Sequence, residues 1–467
     1  MASHTSDLCV RNARVVTEGG TITGGVAVTD GTITAVGATA SLPAADTEID
    51  AEGDYLLPGF IDGHVHWGIS DYEREYHDQL EHDFETETRG AVFGGVTTVV
   101  PFLLQSEPYL PEMDFFKSVG EENSYTDFGY HAIIHQDHHY DEIEGLVDAG
   151  IRSFKLFFDR YKHAAPELGI GHADAGQVYE VLKSVADVPD AVVMFHAENG
   201  DIATRRAEAL QEAGRNDLQA WEEAAPPVAE AMQIEQICQL THFTDSSAYI
   251  VHISTAEGVE ICREYQQAGV DINVETLVAH LCHTYDEDLG VWGKISPPLR
   301  GSQNQQALWE GLRSKTIQHV GTDHCPHKQA YKEKDQGKYG DMWDAIPGDN
   351  NGVEYFLPAM ISEAVNGNRL SIERVVETCA TNNAKQWGIY PRKGVIAEGA
   401  DADMVLVDPD RSTVIDESFY HTMDPGYSTF HGDEVTGPPT HTIVGGEVVV
   451  EEGEFVASPG GREFLAV

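Results

Sequence analysis

Eight short apolar runs, each followed by an amphipathic or polar stretch, constrain this chain more than any other feature. They fall at 59–66, 96–102, 130–136, 152–158, 190–197, 248–254, 271–276 and 317–323. Helical patterning lies between them, as in Phe84 to Phe93, Gly176 to Ala186, Ala224 to Leu240 and Gly258 to Ala268. Strand–helix alternation repeated eight times predicts a (β/α)8 TIM-like barrel, with catalytic groups at the C-terminal ends of its strands. The flanks differ. Residues 8–50 and 400–455 are short β-type runs with turn dipeptides such as Asp30-Gly31 and Gly445-Gly446. They predict a small β-sandwich built from both termini. The expected organisation is 1–57 and 390–467 for the composite β domain and 58–389 for the barrel.

The strand ends carry the chemistry. The first run ends His64-Val65-His66, and on a strand that i, i+2 spacing puts both imidazoles on one face. The fourth, Phe154-Lys155-Leu156-Phe157-Phe158, holds a lysine in an apolar context, which is costly unless the amine changes its chemistry. The fifth ends at His196, the sixth at His252 and the eighth at Asp323. Six metal-competent groups thus fall on five strand ends. Any one of the 22 histidines could be a plain core residue. Their joint alignment with barrel strands favours a divalent metal such as zinc.

Charge narrows the partners. With 78 acidic and 29 basic residues the net charge is −49. Such a field repels nucleic acid and anionic membranes. The acids are spread along the chain rather than gathered in a tail, which predicts a salt-adapted surface. No run is long and apolar enough for a membrane span, and the first residues lack a secretory h-region, so a cytoplasmic setting is expected. Six widely spaced cysteines without a Cys-x-x-Cys pair read as small core residues.

The motifs PGFIDGHVH (58–66), FKLFF (154–158), FHAENGD (195–201), YIVHIS (249–254), ISPPLR (295–300), GTDHCPH (321–327) and NNGVE (350–354) occur in order along the chain. So do ETRGAVFGGVTTVV (87–100) and the long segment 382–408. Together they resemble the amidohydrolase superfamily, and within it the cyclic amidases: dihydropyrimidinase and hydantoinase, with allantoinase and dihydroorotase as cousins.

The resemblance implies two divalent ions, with His64, His66 and Asp323 on the more buried one and His196 and His252 on the other. A carbamylated Lys155 and a hydroxide would bridge them. The hydroxide would attack the amide carbonyl of a small cyclic substrate. Asp323 would take its proton and pass it to the leaving nitrogen. Tyr161, one residue later than the usual spacing, would donate to the carbonyl oxygen. The backbone at Ser296 and Asn351 would read the ring edge. A homotetramer is implied as well.

Dihydroorotase carries an arginine two residues after its His-x-His, where this chain has Gly68, so a carboxylated substrate is disfavoured. Trp67 is read as packing or as a ring-stacking wall. Deaminases of the superfamily mostly lack the lysine ligand. A non-catalytic scaffold, like the dihydropyrimidinase-related proteins, would have lost ligands that this chain keeps.

Overall fold

The computed structural model describes residues 6–159, 171–422 and 427–467. Eight parallel strands form the barrel: β1 (Phe60–Val65), β2 (Val96–Leu103), β3 (His131–Ile133), β4 (Ser153–Asp159), β5 (Val192–Glu198), β6 (Ser247–Ile250), β7 (Asp271–Leu277) and β8 (His319–Gly321). They hydrogen-bond in sequence order from β1 to β8. A parallel bridge between Val65 and His324, with His66 N–H donating to the His324 carbonyl at 2.8 Å, brings β8 back to β1.

Period two sorts each strand. Phe154, Leu156 and Phe158 of β4 and Val193, Phe195 and Ala197 of β5 pack outward into the main core shared with the helices. Phe157, Val192 and Met194 pack inside the barrel with Ile61, Tyr249 and Trp387. Lys155 and His196 therefore share the inward set with residues two positions away.

Three strands are shorter than the sequence suggests: 130–136 is a strand only over 131–133. The run 248–254 is a strand only to Ile250, and 317–323 only over 319–321. His252 and Asp323 lie just beyond, at φ +41° and +53°. This left-handed backbone leaves the ladder and turns both side chains back across the mouth; non-glycine residues held there cluster at functional sites. The helix expected over 224–240 is two, Leu218–Ala224 and Pro227–Thr244, because Pro226 and Pro227 cannot continue the hydrogen-bond ladder.

Both flanks enter one nine-stranded sheet. Met404–Val407 pairs with Tyr55–Pro58, which pairs in turn with Ser6–Thr17, so the two ends of the chain meet at its centre. The turn residues Asp30 and Gly31, and likewise Gly445 and Gly446, all have positive φ, the requirement of tight hairpins. Tyr55–Pro58 runs on through Gly59 into β1, which ties the sheet directly to the strand bearing the His-x-His pair. The last residues leave the sheet: Leu465 N–H bonds the Phe128 carbonyl, and the Val467 carbonyl accepts from Arg152. Among the described residues, no helix is long and apolar enough to cross a membrane.

Candidate metal centre

The six polar strand-end groups converge. His64 Nε2 and His66 Nε2 each lie 3.1 Å from the same oxygen, Asp323 Oδ1. His196 Nδ1 faces His252 Nε2 at 3.0 Å. The rings of His64 and His252 are 5.4 Å apart, and the nearest ligand atoms of His64, His252 and Asp323 all lie within 4.8 Å of one another. The Lys155 amine lines the same pocket as His66, His196, His252 and Asp323, fully buried and without a hydrogen-bond partner among the described residues. It lies 5.1 Å from the centre of the Phe102 ring and 5.5 Å from that of Phe157.

Burial and the buried carboxylates set the protonation balance of these groups. Burial, and then the positive neighbours, hold His252 well below an ordinary imidazole. Burial also lowers His66, against Asp323. Burial opposes a charge on His64, but Glu275 and Asp323 outweigh it and lift the ring to about 9. Burial would raise Asp323, yet His64 and His66 hold it well below the carboxylate range. Burial pulls Lys155 down to about 8, with Asp323 and Glu275 opposing. An anionic carboxylate, imidazole nitrogens and an amine without an acceptor fit a divalent cation by donor type and by their mutual approach.

A further carboxylate, not singled out in the sequence, organises this set. Glu275 of β7 is buried; its Oε1 meets His64 Nδ1 at 2.6 Å and accepts from His252 N–H at 3.2 Å, and its Oε2 accepts from Tyr249 O–H at 2.9 Å. It therefore sets the tautomer that leaves His64 Nε2 facing the centre. Its signal was a lone carboxylate in the run Ile272 to Leu277. Asp62, also buried, accepts from His64 N–H at 3.1 Å and from Thr322 O–H at 2.6 Å, tying the ends of β1 and β8. Glu275→Gln is expected to lower zinc affinity about 10- to 100-fold, measured by competition with a chelator.

Above the cluster is a narrow pocket lined by His66, Lys155, His196, His252 and Asp323, with Ile69, Leu104, Phe157, Ser296, Cys325, His327, Ile346, Pro347 and Gly348. Ser296 is thus at the pocket. Asn351 is not among its lining residues. Its N–H donates to Asn350 Oδ1 at 2.9 Å, its carbonyl caps the helix Gly352–Met360 through Glu354 N–H, and its side-chain amide donates to the Tyr427 carbonyl. Gly348 lines the pocket at that wall. No side-chain signal could mark it, because it has no side chain. Tyr161 lies outside the described residues.

Trp67 is a core residue, fully buried and edge-on to Phe84. Gly68, at φ +78°, has no room for an arginine: a Cβ there would sit 2.5 Å from the Tyr76 ring. His327 Nδ1 lies 3.2 Å from the Ile69 carbonyl, and His324 Nε2 lies 2.9 Å from Glu87. His135 and His139 reach the carbonyls of Gln105 and Glu107.

Comparison with known proteins agrees with this arrangement. Residues 55–449, which span the barrel and much of the sheet, match the amidohydrolase family. The chain belongs to the amidohydrolase family. This amidohydrolase is 32% identical to an L-hydantoinase of Paenarthrobacter aurescens, over 98% of both chains. It is also 32% identical to an allantoinase of Rubrobacter xylanophilus, over 98% of this chain and 97% of that one. The solved structure of L-hydantoinase (dihydropyrimidinase) from Arthrobacter aurescens superimposes with a TM-score of 0.90 at 31% identity, covering 98% of this chain and 99% of that one.

Proposed function

We propose that this amidohydrolase opens the ring of a cyclic amide of the ureide or imide type, a hydantoin or a dihydropyrimidine. The observation that carries the reading is the approach of His64 and His66 to Asp323, and of His196 to His252, with the buried Lys155 amine on the lining of the same pocket. These six residues would hold two divalent ions, zinc by the chemistry of the donors, with Lys155 as an N6-carboxylate. When bound, the ions polarise the substrate carbonyl and lower the pKa of water to near neutrality.

The chain supplies the rest. Asp323 is anionic and faces the pocket, so it can accept the proton of the attacking water and return it to the ring nitrogen. Glu275 keeps the His64 proton on the side away from the centre. The backbone at Ser296 reads the ring edge, and Tyr161 donates to the carbonyl oxygen. The barrel, 58–389, is the catalytic unit, and 1–57 with 390–467 the composite support. The resemblance extends the proposal to a homotetramer in a salt-rich cytoplasm. Similarity to the Rubrobacter allantoinase makes allantoin a second candidate ring. The closed space at Gly68 leaves no arginine there for a ring carboxylate.

The test is a panel of dihydrouracil, hydantoin, 5-substituted hydantoins, allantoin and dihydroorotate with zinc-loaded protein in concentrated KCl, ring opening being followed in the ultraviolet. Turnover of a hydantoin or dihydrouracil, with dihydroorotate inert, is the expected result. Protein that binds two ions per chain and opens none of these rings would end the proposal.

A further inference from the structure

Two backbone stretches face each other across one wall of the pocket. One runs from Lys294 to Ser296, the other from Ala345 to Gly348; Ser296, Ile346, Pro347 and Gly348 line the pocket itself. Lys332, on the short helix Gln329–Glu333, is completely buried behind them. Its Nζ donates to the Lys294 carbonyl at 2.6 Å and to the Gly348 carbonyl at 2.5 Å. Gly348 N–H donates to the same Lys294 carbonyl at 3.1 Å. The Lys294 amine donates in turn to the Ala345 carbonyl, 4.3 Å from the centre of the Trp221 ring, and Trp221 Nε1–H donates to the Ile295 carbonyl at 2.8 Å.

A buried amine is an expensive way to fill space. Lys332 has no carboxylate within ion-pair distance among the described residues; burial pulls it down to about 7, with Asp349 opposing. What an amine supplies, and an apolar side chain cannot, is a pair of hydrogen bonds that join the Gly348 carbonyl to the Lys294 carbonyl, which otherwise keeps only the Gly348 N–H. Gly348 is also packed closely against two other residues of the pocket lining. A Cβ on Gly348 would stand 3.0 Å from Cys325 Cβ and 3.2 Å from the His327 ring. Releasing the tie removes a link that holds residues 346–348 in place relative to Ser296.

Resting on the cyclic-amide reading above, we infer that Lys332 is the positioning residue for ring selection: by joining the Lys294 and Gly348 carbonyls it sets the gap between Ser296 and Gly348, and so which ring the pocket accepts. Lys332 touches neither substrate nor ion.

Lys332→Met keeps the length of the side chain and removes its donors. In the zinc-loaded enzyme, KM for the preferred ring is expected to rise about tenfold with kcat changed less than about twofold, the signature of lost ground-state positioning. The kcat/KM ratio between hydantoin and dihydrouracil should shrink at least about fivefold, since the gap no longer discriminates. Zinc content should stay at the parental value, and Lys332→Arg, which restores donors, should recover part of the KM. If Lys332→Met is insoluble, Trp221→Phe, which frees the Ile295 carbonyl on the same wall, must shift KM and ring preference in the same direction. An active parent whose variants keep KM and ring preference, or lose kcat and zinc together, overturns the inference alone. A parent that binds zinc but opens no ring overturns the cyclic-amide reading and takes this one with it.

Discussion

Lys155→Ala is expected to abolish ring opening, by at least about a thousandfold in kcat/KM, and to strip the protein of one or both ions. The argument starts from the cost of the lysine. Its amine is wholly buried in an apolar strand, beside two aromatic rings and without an acceptor. As an ammonium it would also repel the cations that the neighbouring ligands are built to hold. Burial lowers it to about 8, so a neutral amine is accessible near physiological pH. A neutral amine attacks carbon dioxide: the nitrogen lone pair forms the C–N bond, a proton leaves, and the product is a carbamate anion. On the function proposed above, that exchange would turn the buried amine into a ligand with two oxygens. Alanine leaves a space where the anion would be. Acetate or propionate can enter that space, so partial recovery of zinc and activity by short carboxylic acids, absent for the parent, is the specific sign. The measurements are metal content by atomic emission and kcat/KM with and without added acid. An alanine variant that retains both ions and activity would remove the carbamate from the account.

The reach of the sequence can be judged residue by residue. The eight strands were legible because each is a short apolar run whose alternation matches a buried barrel wall. The six clustered groups were legible because polar side chains at strand ends interrupt that alternation. What stayed hidden depends on pairing between distant segments. Glu275 meets His64 from 211 positions away, and Lys332 meets Gly348 across a loop. Neither partner marks the other in a linear reading. Asn351 was marked as a ring reader by its motif alone; its carbonyl accepts from Glu354 N–H and its N–H donates to Asn350 Oδ1, while Gly348, three residues earlier, lines the pocket. The early ends of β6 and β8 were invisible for another reason. Left-handed backbone at His252 and Asp323 is set by tertiary contacts, not by local propensity.

The largest effect expected on the whole molecule comes from charge. If every basic side chain found an acidic partner, 49 acidic residues would still be left over, since 78 − 29 = 49. The exposed ones include members of ion pairs: the Glu260 and Glu310 side chains are 51% and 66% exposed while paired with Arg263 and Arg313. Such surface pairs contribute about 0–1 kcal/mol each and do not offset a field of this size. A folded chain of this length has a radius of gyration of about 23 Å. The Debye length is about 3 Å at 1 M salt and about 30 Å at 0.01 M. In concentrated salt each carboxylate therefore repels only its neighbours. In dilute buffer each repels nearly every other, and the summed repulsion grows by tens of kcal/mol. Unfolding relieves most of it, whereas the native state is favoured by only about 5–15 kcal/mol. The protein is thus expected to lose far-UV dichroism and ring-opening activity together as KCl is lowered from 1 M toward 0.1 M. Sodium chloride should substitute for KCl, because screening depends on ionic strength, and sucrose should not restore the fold to the same degree. Native dichroism and full activity in 10 mM buffer would show that the acidic surface is tolerated without salt, and the salt-adapted reading would be withdrawn.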